Sequence, residues 1–265
     1  MRTSLDEKIL AYLNTDRLKH LTHLKYLSLY SKVIRQNYSE AGGQIGLLLS
    51  YPTQAVSWDR TLYPGTNHVL LPTASDSIAA ERLATYAWEQ FSTELPVVIK
   101  FCDATTKAAF GQAFPLRFAD TYLSFSAAPD TAFELPKQVV RSDQLTDSCA
   151  ALFVSNGYDY ADLEAYFIKG AVSFAIYEQN RPQCVCMVFQ NYDTIWEIGG
   201  VQTIVSARRK GYARQVVQAA LYTLLAQGKI PRYMVSAQNA ASVQLAEGLG
   251  LQLCLRFEHY VVDRL

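Results

Sequence analysis

A short basic stretch between a predicted strand and a predicted helix has the residue types of an anion-binding loop. The first turn of a helix carries free N–H groups and the positive end of the helix dipole, which together bind phosphate. A glycine in the loop lets the backbone approach a bulky anion. The stretch therefore predicts a phosphate or pyrophosphate site, with a solvated helix start as the alternative. It consists of Arg208, Arg209, Lys210, Gly211, Tyr212, Ala213 and Arg214.

The elements on either side of this loop are well marked. The strand predicted over 195–205 carries Gly199 and Gly200, and paired glycines inside a strand indicate a β-bulge. The segment 211–227 repeats apolar residues at helical spacing. Neither the P-loop spacing nor the dinucleotide-binding G-x-G-x-x-G occurs in the chain, so these nucleotide motifs are excluded.

Two segments of the second half resemble motifs of the GNAT acetyltransferase superfamily. Residues 208–213 match its pyrophosphate signature, in which Arg or Gln is followed by two residues, Gly, one residue, and Gly or Ala. Residues 239–251 resemble a second motif, with an Asn, a small residue three positions on, and a Leu-Gly-hydrophobic ending. The resemblance covers residues 137–265 and implies an α/β fold with a mixed sheet, the GNAT fold, for that part of the chain.

The resemblance implies acetyl-CoA as the acyl donor, no metal, and particular contacts. The backbone N–H groups from Arg209 to Arg214 would hold the pyrophosphate. Asn239 and Ser242 would face the pantetheine arm from one side of the cleft, although an Asn at this position also suits a helix N-cap. Across the cleft, the arm and the thioester carbonyl would contact the backbone of Val201, Gln202 and Thr203.

Glu197 is the best candidate for a general base. GNAT enzymes that use a strand glutamate carry it at this offset, eleven residues before Arg208. An ammonium has no lone pair, so an amine acceptor must lose a proton before it attacks a thioester. A surface or ion-paired strand glutamate is the alternative interpretation, and both stay open.

One position departs from the family pattern. Many GNAT proteins carry a tyrosine after the motif leucine, where it protonates the departing CoA thiolate, whereas Leu245 is followed here by Ala246. Tyr233, Tyr260 or water could take that part, and the sequence does not choose among them. No cysteine stands at an obvious nucleophile position, so direct transfer in a ternary complex is expected.

The N-terminal half predicts a second α/β domain over 1–130, with a degenerate GNAT-like fold left open, and a GNAT domain over 137–265. The proline-containing segment 127–136 is the predicted linker. The first 38 residues are expected to be helical. Trp58 and the run 68–71 are expected to form strands beside the apolar strand 44–51.

Composition limits the partners. Twenty-four basic residues balance twenty-four acidic ones, so no broad field draws in nucleic acid or a membrane surface. Five cysteines and no signal peptide predict reduced thiols in the cytoplasm. A metal at Cys184 and Cys186 or at His20 and His23 is disfavoured against strand packing for the cysteines and a solvated helix face for the histidines.

Three functions follow, and a homodimer is left open. The first is an acetyl-CoA-dependent N-acetyltransferase acting on a primary amine of a small or amino acid-like molecule. The second is a protein N-acetyltransferase. The third is a non-catalytic acyl-CoA-binding protein, which Ala246 keeps under consideration.

Overall fold

The structure is a computed structural model that describes residues 4–128 and 130–264. The chain divides into two units, Met1–Tyr122 with Leu255–Leu265, and Leu123–Cys254. The described residues of the segment 127–136 form no helix or strand, and the segment lies within the second unit rather than between the two units. The units also differ from the expected ranges 1–130 and 137–265, because Leu255–Leu265, which contains most of the last strand, groups with the first unit.

Helices and strands alternate through the first part of the chain, as an α/β fold requires. In order they are α1 (Ser4–Leu13), α2 (Leu21–Leu29), β1 (Arg35–Ala41), β2 (Gln44–Pro52), α3 (Ser57–Leu62), β3 (His68–Ala74), α4 (Ser77–Phe91), β4 (Val97–Phe101), α5 (Ala104–Ala113) and β5 (Arg117–Ser126).

Two secondary-structure expectations for this part are wrong. Residues 35–38 are strand rather than helix, because β1 pairs antiparallel with β2 through a turn at Gly42 and Gly43, both with positive φ. Trp58 lies in the helix α3 rather than in a strand. The helix places the next residue, Asp59, where it forms a buried ion pair with Lys100.

The second part of the chain again alternates strands and helices. It contains β6 (Val140–Ser142), α6 (Asp147–Ser155), α7 (Tyr160–Ile168), β7 (Val172–Glu178), β8 (Arg181–Tyr192), β9 (Ile195–Thr203), α8 (Tyr212–Ala226), β10 (Ile230–Ser236), α9 (Ala240–Gly248) and β11 (Gln252–Val262). The predicted strand and helix on either side of the basic loop are thus confirmed as β9 and α8.

Each unit contains its own ordered run of strands. In the first, the order is β1-β2-β3-β4-β11, and β11 pairs antiparallel with β4 from Glu258↔Phe101 to Val262↔Val97. In the second, the order is β5-β10-β9-β8-β7-β6. Most neighbours are antiparallel, but β3 pairs parallel with β4 and β9 parallel with β10. The sheet is therefore mixed, as predicted.

The core of the second unit lies on both faces of its strands. On one face, α8 and α9 cover an apolar cluster that contains Cys184 and Cys186, both fully buried. On the other face, α6 packs Phe153 and its neighbours against Val185 and Met187. The two cysteines therefore pack in the core, and the described residues contain no group of three or more side chains suited to a metal.

His20 and His23 are buried in the first unit, so the expected solvated helix face is wrong. His20 is the N-cap residue of α2 and His23 lies within the helix, and the leucines at 21 and 24 are buried with them. His20 Nε2 is 3.2 Å from Thr73 Oγ1, and its Nδ1 is 3.1 Å from the Leu13 carbonyl oxygen.

Candidate active site

The parallel strands β9 and β10 are joined over only a short length. They pair at Ile195↔Ile230, Trp196↔Pro231 and Glu197↔Arg232. Both strands then continue, β9 to Thr203 and β10 to Ser236. Beyond Glu197, the β9 edge facing β10 therefore leaves the ladder, and its backbone N–H and C=O groups are available to an extended ligand.

A bulge in β9 follows this separation. Val185 pairs with Gln202 and Met187 with Gly199, so Gly200 and Val201 together oppose the single residue Cys186. Gly200 has φ +65°, and a Cβ there would lie 2.8 Å from the Phe153 ring. The bulge predicted from the paired glycines is confirmed, and Gly200 is required both by its φ and by this close approach.

The basic loop after β9 leaves the start of α8 open. Gly211 is the N-cap residue, with φ +79° and no side-chain capping hydrogen bond, and Arg209 also has a positive φ, +63°. A Cβ added at Gly211 would meet nothing within 4 Å. The helix thus presents uncapped N–H groups to open space, which is the geometry of an anion site.

The side chains of this loop have different partners. Lys210 Nζ lies 3.4 Å from Glu178 Oε1, and the Tyr212 hydroxyl donates to the same oxygen. This donation lowers the pKa of Glu178, with Lys210 acting in the same direction. Arg214 instead donates to the Gly248 carbonyl at the end of α9, 2.6 Å away. Its guanidinium therefore ties α9 to α8, which leaves its backbone N–H as the group predicted to hold the pyrophosphate.

The remaining cofactor-binding candidates lie around the separated strands. Arg208 is exposed, and its Nε lies 3.4 Å from the Thr203 carbonyl oxygen. Thr203 Oγ1 donates to Cys184 Sγ, and Gln202 Nε2 is 3.4 Å from Ser155 Oγ. These side chains point to neighbouring elements, which leaves the backbone of 201–203 as the part that could line a cleft.

The second motif caps its helix. Asn239 is the N-cap of α9, and its side chain accepts from the Ser242 N–H at 3.1 Å. The N-cap interpretation of Asn239 is therefore correct. Burial raises the pKa of Tyr233, while a hydrogen bond from Ser242 acts in the opposite direction. Tyr233 and the buried Ala246 belong to the same apolar cluster, which joins residues of β10 and α9.

Glu197 is buried and ion-paired. Its Oε2 accepts from Arg232 Nη1 at 2.8 Å and from Asn191 Nδ2 at 2.7 Å. Arg232 is itself anchored, since its Nε donates to Ser124 Oγ at 3.0 Å. Both hydrogen bonds to the carboxylate end on Oε2, so neither uses Oε1. The pair stands at the last rung before β9 and β10 separate.

Asn191 is a site residue that the sequence did not indicate. Gln190 pairs with Trp196 and Tyr192 with Ile195, so Asn191 is an extra residue in β8. A bulge re-aims the side chains next to it, which here brings the Asn191 amide onto Glu197. Because the bulge exists only through the pairing of β8 with β9, no local sequence signal marks it.

Tyr158 is a second residue near Glu197 that the sequence did not indicate. It follows α6 and Gly157, whose φ is +93°, and its hydroxyl would lie 2.8 Å from a Cβ built on Gly199. Burial raises the pKa of Tyr158, the Glu197 carboxylate raises it further, and a hydrogen bond from the Gly200 backbone acts in the opposite direction. Glu197, the bulge and Tyr158 therefore lie along the same strand, β9, and the basic loop follows the end of that strand.

A model of a known protein family matches the part of the chain that contains β9, the basic loop and α9. Residues 133–260 match the family model described as GNAT acetyltransferase, so the chain carries a GNAT acetyltransferase domain. The search of curated proteins gives no match.

Solved structures show the same fold over most of the chain. A GNAT-family acetyltransferase from Colwellia psychrerythraea is 10% identical with a TM-score of 0.63, covering 96% of this chain and 97% of that one. A GCN5-related N-acetyltransferase from Kribbella flavida is 13% identical, with a TM-score of 0.58 and coverages of 92% and 95%. A tandem GNAT protein from the clavulanic acid biosynthesis pathway is 11% identical, with a TM-score of 0.56 and coverages of 92% and 88%.

Proposed function

We propose that the protein is an acetyl-CoA-dependent N-acetyltransferase that acetylates a primary amine of a small or amino acid-like molecule. The observation that carries the proposal is the separation of β9 from β10 beside an uncapped helix N-terminus. A pantetheine arm would continue the interrupted ladder along Val201–Thr203, with its pyrophosphate on the N–H groups of 209–214. Asn239 and Ser242, at the start of α9, would face the arm from the β10 side.

Transfer in this site is a direct displacement. The neutral amine nitrogen attacks the thioester carbon, the C=O electron pair moves to oxygen, and collapse breaks the C–S bond with release of the CoA thiolate. The amine proton must leave before or during attack. We assign its removal to Glu197, through water, because its Oε2 is held by Arg232 and Asn191 while neither of these bonds uses Oε1.

The thiolate needs a proton, and the structure supports one of the three candidates. Tyr260 packs in the first unit, with its ring 5.8 Å from Phe101 and 5.6 Å from Phe118. Tyr233 follows Arg232 on β10 and shares a cluster with Ala246. Its hydroxyl interacts with Ser242, one helical turn before Ala246. We therefore propose that Tyr233 replaces the absent motif tyrosine.

The remaining parts of the proposal concern partners and place. Five free cysteines, four of them buried, suit a reducing compartment such as the cytoplasm. No helix in the described residues is long and apolar enough to cross a membrane. A protein amine as acceptor is the second candidate, and the two differ only in the acceptor.

Calorimetry with acetyl-CoA tests the binding half. We expect one site, and Gly211→Asp should weaken binding at least about 100-fold, because its carboxylate would cap α8 where the pyrophosphate binds. Gly211→Asn is the matched control, since Asn has the same shape without charge and tolerates a positive φ. Equal affinities for Gly211→Asp and Gly211→Asn would show that the anion does not bind there.

A CoA-release assay tests the transfer half. Acetyl-CoA is incubated with pooled amines, amino acids, aminoglycosides and peptides, and the free thiol is measured. Release with small amines supports the proposed function, and release with peptides alone supports the protein acceptor. Binding of acetyl-CoA without release for any pool would leave a non-catalytic acyl-CoA-binding protein.

A further inference from the structure

Tyr158 reaches the bulge of β9 from the loop between α6 and α7. Its backbone N–H donates to the Phe153 carbonyl at 3.2 Å, and its ring lies 6.4 Å from the Phe153 ring at 67°. Phe153 is fully buried beneath Gly200. The loop is thus anchored to the core, and Tyr158 is held by packing that is independent of any ligand.

The adjacent glycines Gly199 and Gly200 admit this loop. A Cβ at Gly199 would be 2.8 Å from the Tyr158 hydroxyl oxygen and 3.2 Å from the Phe189 ring. Gly199 does not have a positive φ, so its backbone conformation alone would accept alanine. What requires glycine at 199 is therefore the close approach of a hydroxyl group to the backbone of β9.

The hydroxyl at this contact carries its proton and can donate a hydrogen bond. Its oxygen lies against the backbone of β9 beside the bulge, 2.8 Å from a Cβ built on Gly199. Burial raises the pKa of Tyr158 and the Glu197 carboxylate raises it further, so the hydroxyl is even less prone than an ordinary tyrosine to lose its proton at neutral pH.

We propose that Tyr158 is a catalytic residue whose hydroxyl donates a hydrogen bond to the thioester oxygen of acetyl-CoA. The assignment rests on the proposed function, which puts the thioester beside the backbone of Val201. In the transfer step the amine lone pair forms the C–N bond and the C=O pair moves to oxygen. The Tyr158 hydroxyl, by its hydrogen bond, stabilises that negative charge until the C–S bond breaks.

This hydrogen bond from Tyr158 is not a proton transfer. Tyr158 donates a hydrogen bond throughout and neither gains nor loses a proton, so the amine proton still leaves to Glu197 and the thiolate is still protonated by another group. A preorganised donor of this kind acts on the charge that develops during attack. It also acts, more weakly, on the carbonyl of the bound thioester.

The test compares the affinities of acetyl-CoA and CoA, which differ by the group that Tyr158 is assigned to hold. In Tyr158→Phe we expect the dissociation constant of acetyl-CoA to rise by about 3–10-fold relative to that of CoA, which is the contribution of one hydrogen bond. With ¹³C-carbonyl acetyl-CoA, the infrared C=O stretch should shift to higher frequency in the variant. Tyr177→Phe is the matched control, since its hydroxyl contacts Cys149 Sγ instead.

A second variant guards against misfolding of the first. Gly199→Ala places a methyl group 2.8 Å from the hydroxyl oxygen, closer than van der Waals contact allows, so it should displace Tyr158 and change the ratio and the frequency in the same direction. An unchanged ratio and an unchanged frequency in both variants would overturn the Tyr158 assignment while acetyl-CoA still binds. A wild-type protein that binds neither acetyl-CoA nor CoA would overturn the proposed function itself, and this assignment with it.

Discussion

Both units contain a parallel strand pair joined over three residue pairs. In the first unit, β3 and β4 pair from His68↔Val97 to Leu70↔Ile99. In the second, β9 and β10 pair up to Glu197↔Arg232. The last pair in the first unit belongs to an apolar cluster, whereas the last pair in the second unit is an ion pair. The same backbone arrangement therefore ends in core packing in one unit and in ionisable groups in the other.

The helices that follow these strands differ at their first turn. In α4, Asp76 is the N-cap and accepts from the Ala79 N–H at 2.8 Å. In α8, Gly211 leaves the corresponding N–H groups uncapped. A carboxylate at Asp76 uses the donors that a phosphate would need and repels its charge. Of these two helices, α8 therefore meets the requirement of the proposed pyrophosphate site and α4 does not.

Side chains from α1 and the start of α2 contact the far end of β3. Tyr12 Oη and His20 Nε2 are both 3.2 Å from Thr73 Oγ1. In the second unit the corresponding stretch of β9 carries the bulge at Gly200, and β3 pairs with β2 without such a shift. Polar packing thus covers this end of β3 in the first unit, whereas the proposed ligand position of the second unit lies at the bulge of β9.

Replacing Glu197 by Gln should give the largest change. If Glu197 removes the amine proton, kcat should fall by about 10²–10⁴-fold with acetyl-CoA affinity nearly unchanged. The loss should shrink at high pH, where more of the acceptor is already neutral. The measurement is the pH profile of CoA release with the acceptor found by the assay above.

The control for this prediction is Arg232→Gln, which removes the same ion pair and keeps the carboxylate. A much smaller loss of kcat than in Glu197→Gln supports the base. Equal losses in the two variants would mean that the ion pair acts by holding the strands at the point of separation, and Glu197 would then be a structural residue.

Lys100 tests the first unit, where the buried charges hold α3 to the sheet. Lys100 pairs with Asp59, which also accepts from the Tyr51 hydroxyl at 2.6 Å. Burial lowers the pKa of Lys100, although Asp59 opposes this. Lys100→Met leaves a buried, unpaired carboxylate, so the free energy of unfolding should fall by about 3–5 kcal/mol in urea denaturation.

The matched control replaces both partners. Lys100→Met with Asp59→Leu removes the unpaired charge, and most of the lost stability should return. Under conditions in which both variants are folded, their affinity for acetyl-CoA should stay unchanged. A parallel loss of affinity in the double variant would show that the first unit contributes to the site and would break the comparison.

Local signals in the sequence predicted much of the second unit. The glycines at 199 and 200, the glycine at 211 and the apolar stripe of α8 each act within a few residues, so the bulge, the open helix start and the helix could be predicted. Asn191, Tyr158 and Arg232 could not, because their roles depend on strand pairing and on a loop distant in sequence. The position of β11 in the first unit is non-local for the same reason.

Low pH should destabilise the first unit more than the second, because all four histidines lie in the first unit. This effect is expected to be smaller than those of the substitutions above. Burial lowers the pKa of His23 to about 3, lowers that of His20, and lowers that of His259 well below its usual value. The unfolded chain, with a histidine pKa of about 6.5, then binds more protons than the folded one. Stability from His23 is therefore complete above about pH 6.5 and is lost as the pH falls toward 3.

The expected size is about 2 kcal/mol from His23 alone between pH 7 and pH 5, since each pH unit below 6.5 contributes about 1.4 kcal/mol. Urea unfolding at both pH values measures it, and tryptophan emission separates the units. Trp58 and Trp88 report on the first, and Trp196 reports on the second. His23→Leu should remove its share of the pH dependence in the first unit, whereas an unchanged dependence would show that His23 does not titrate as a buried neutral group.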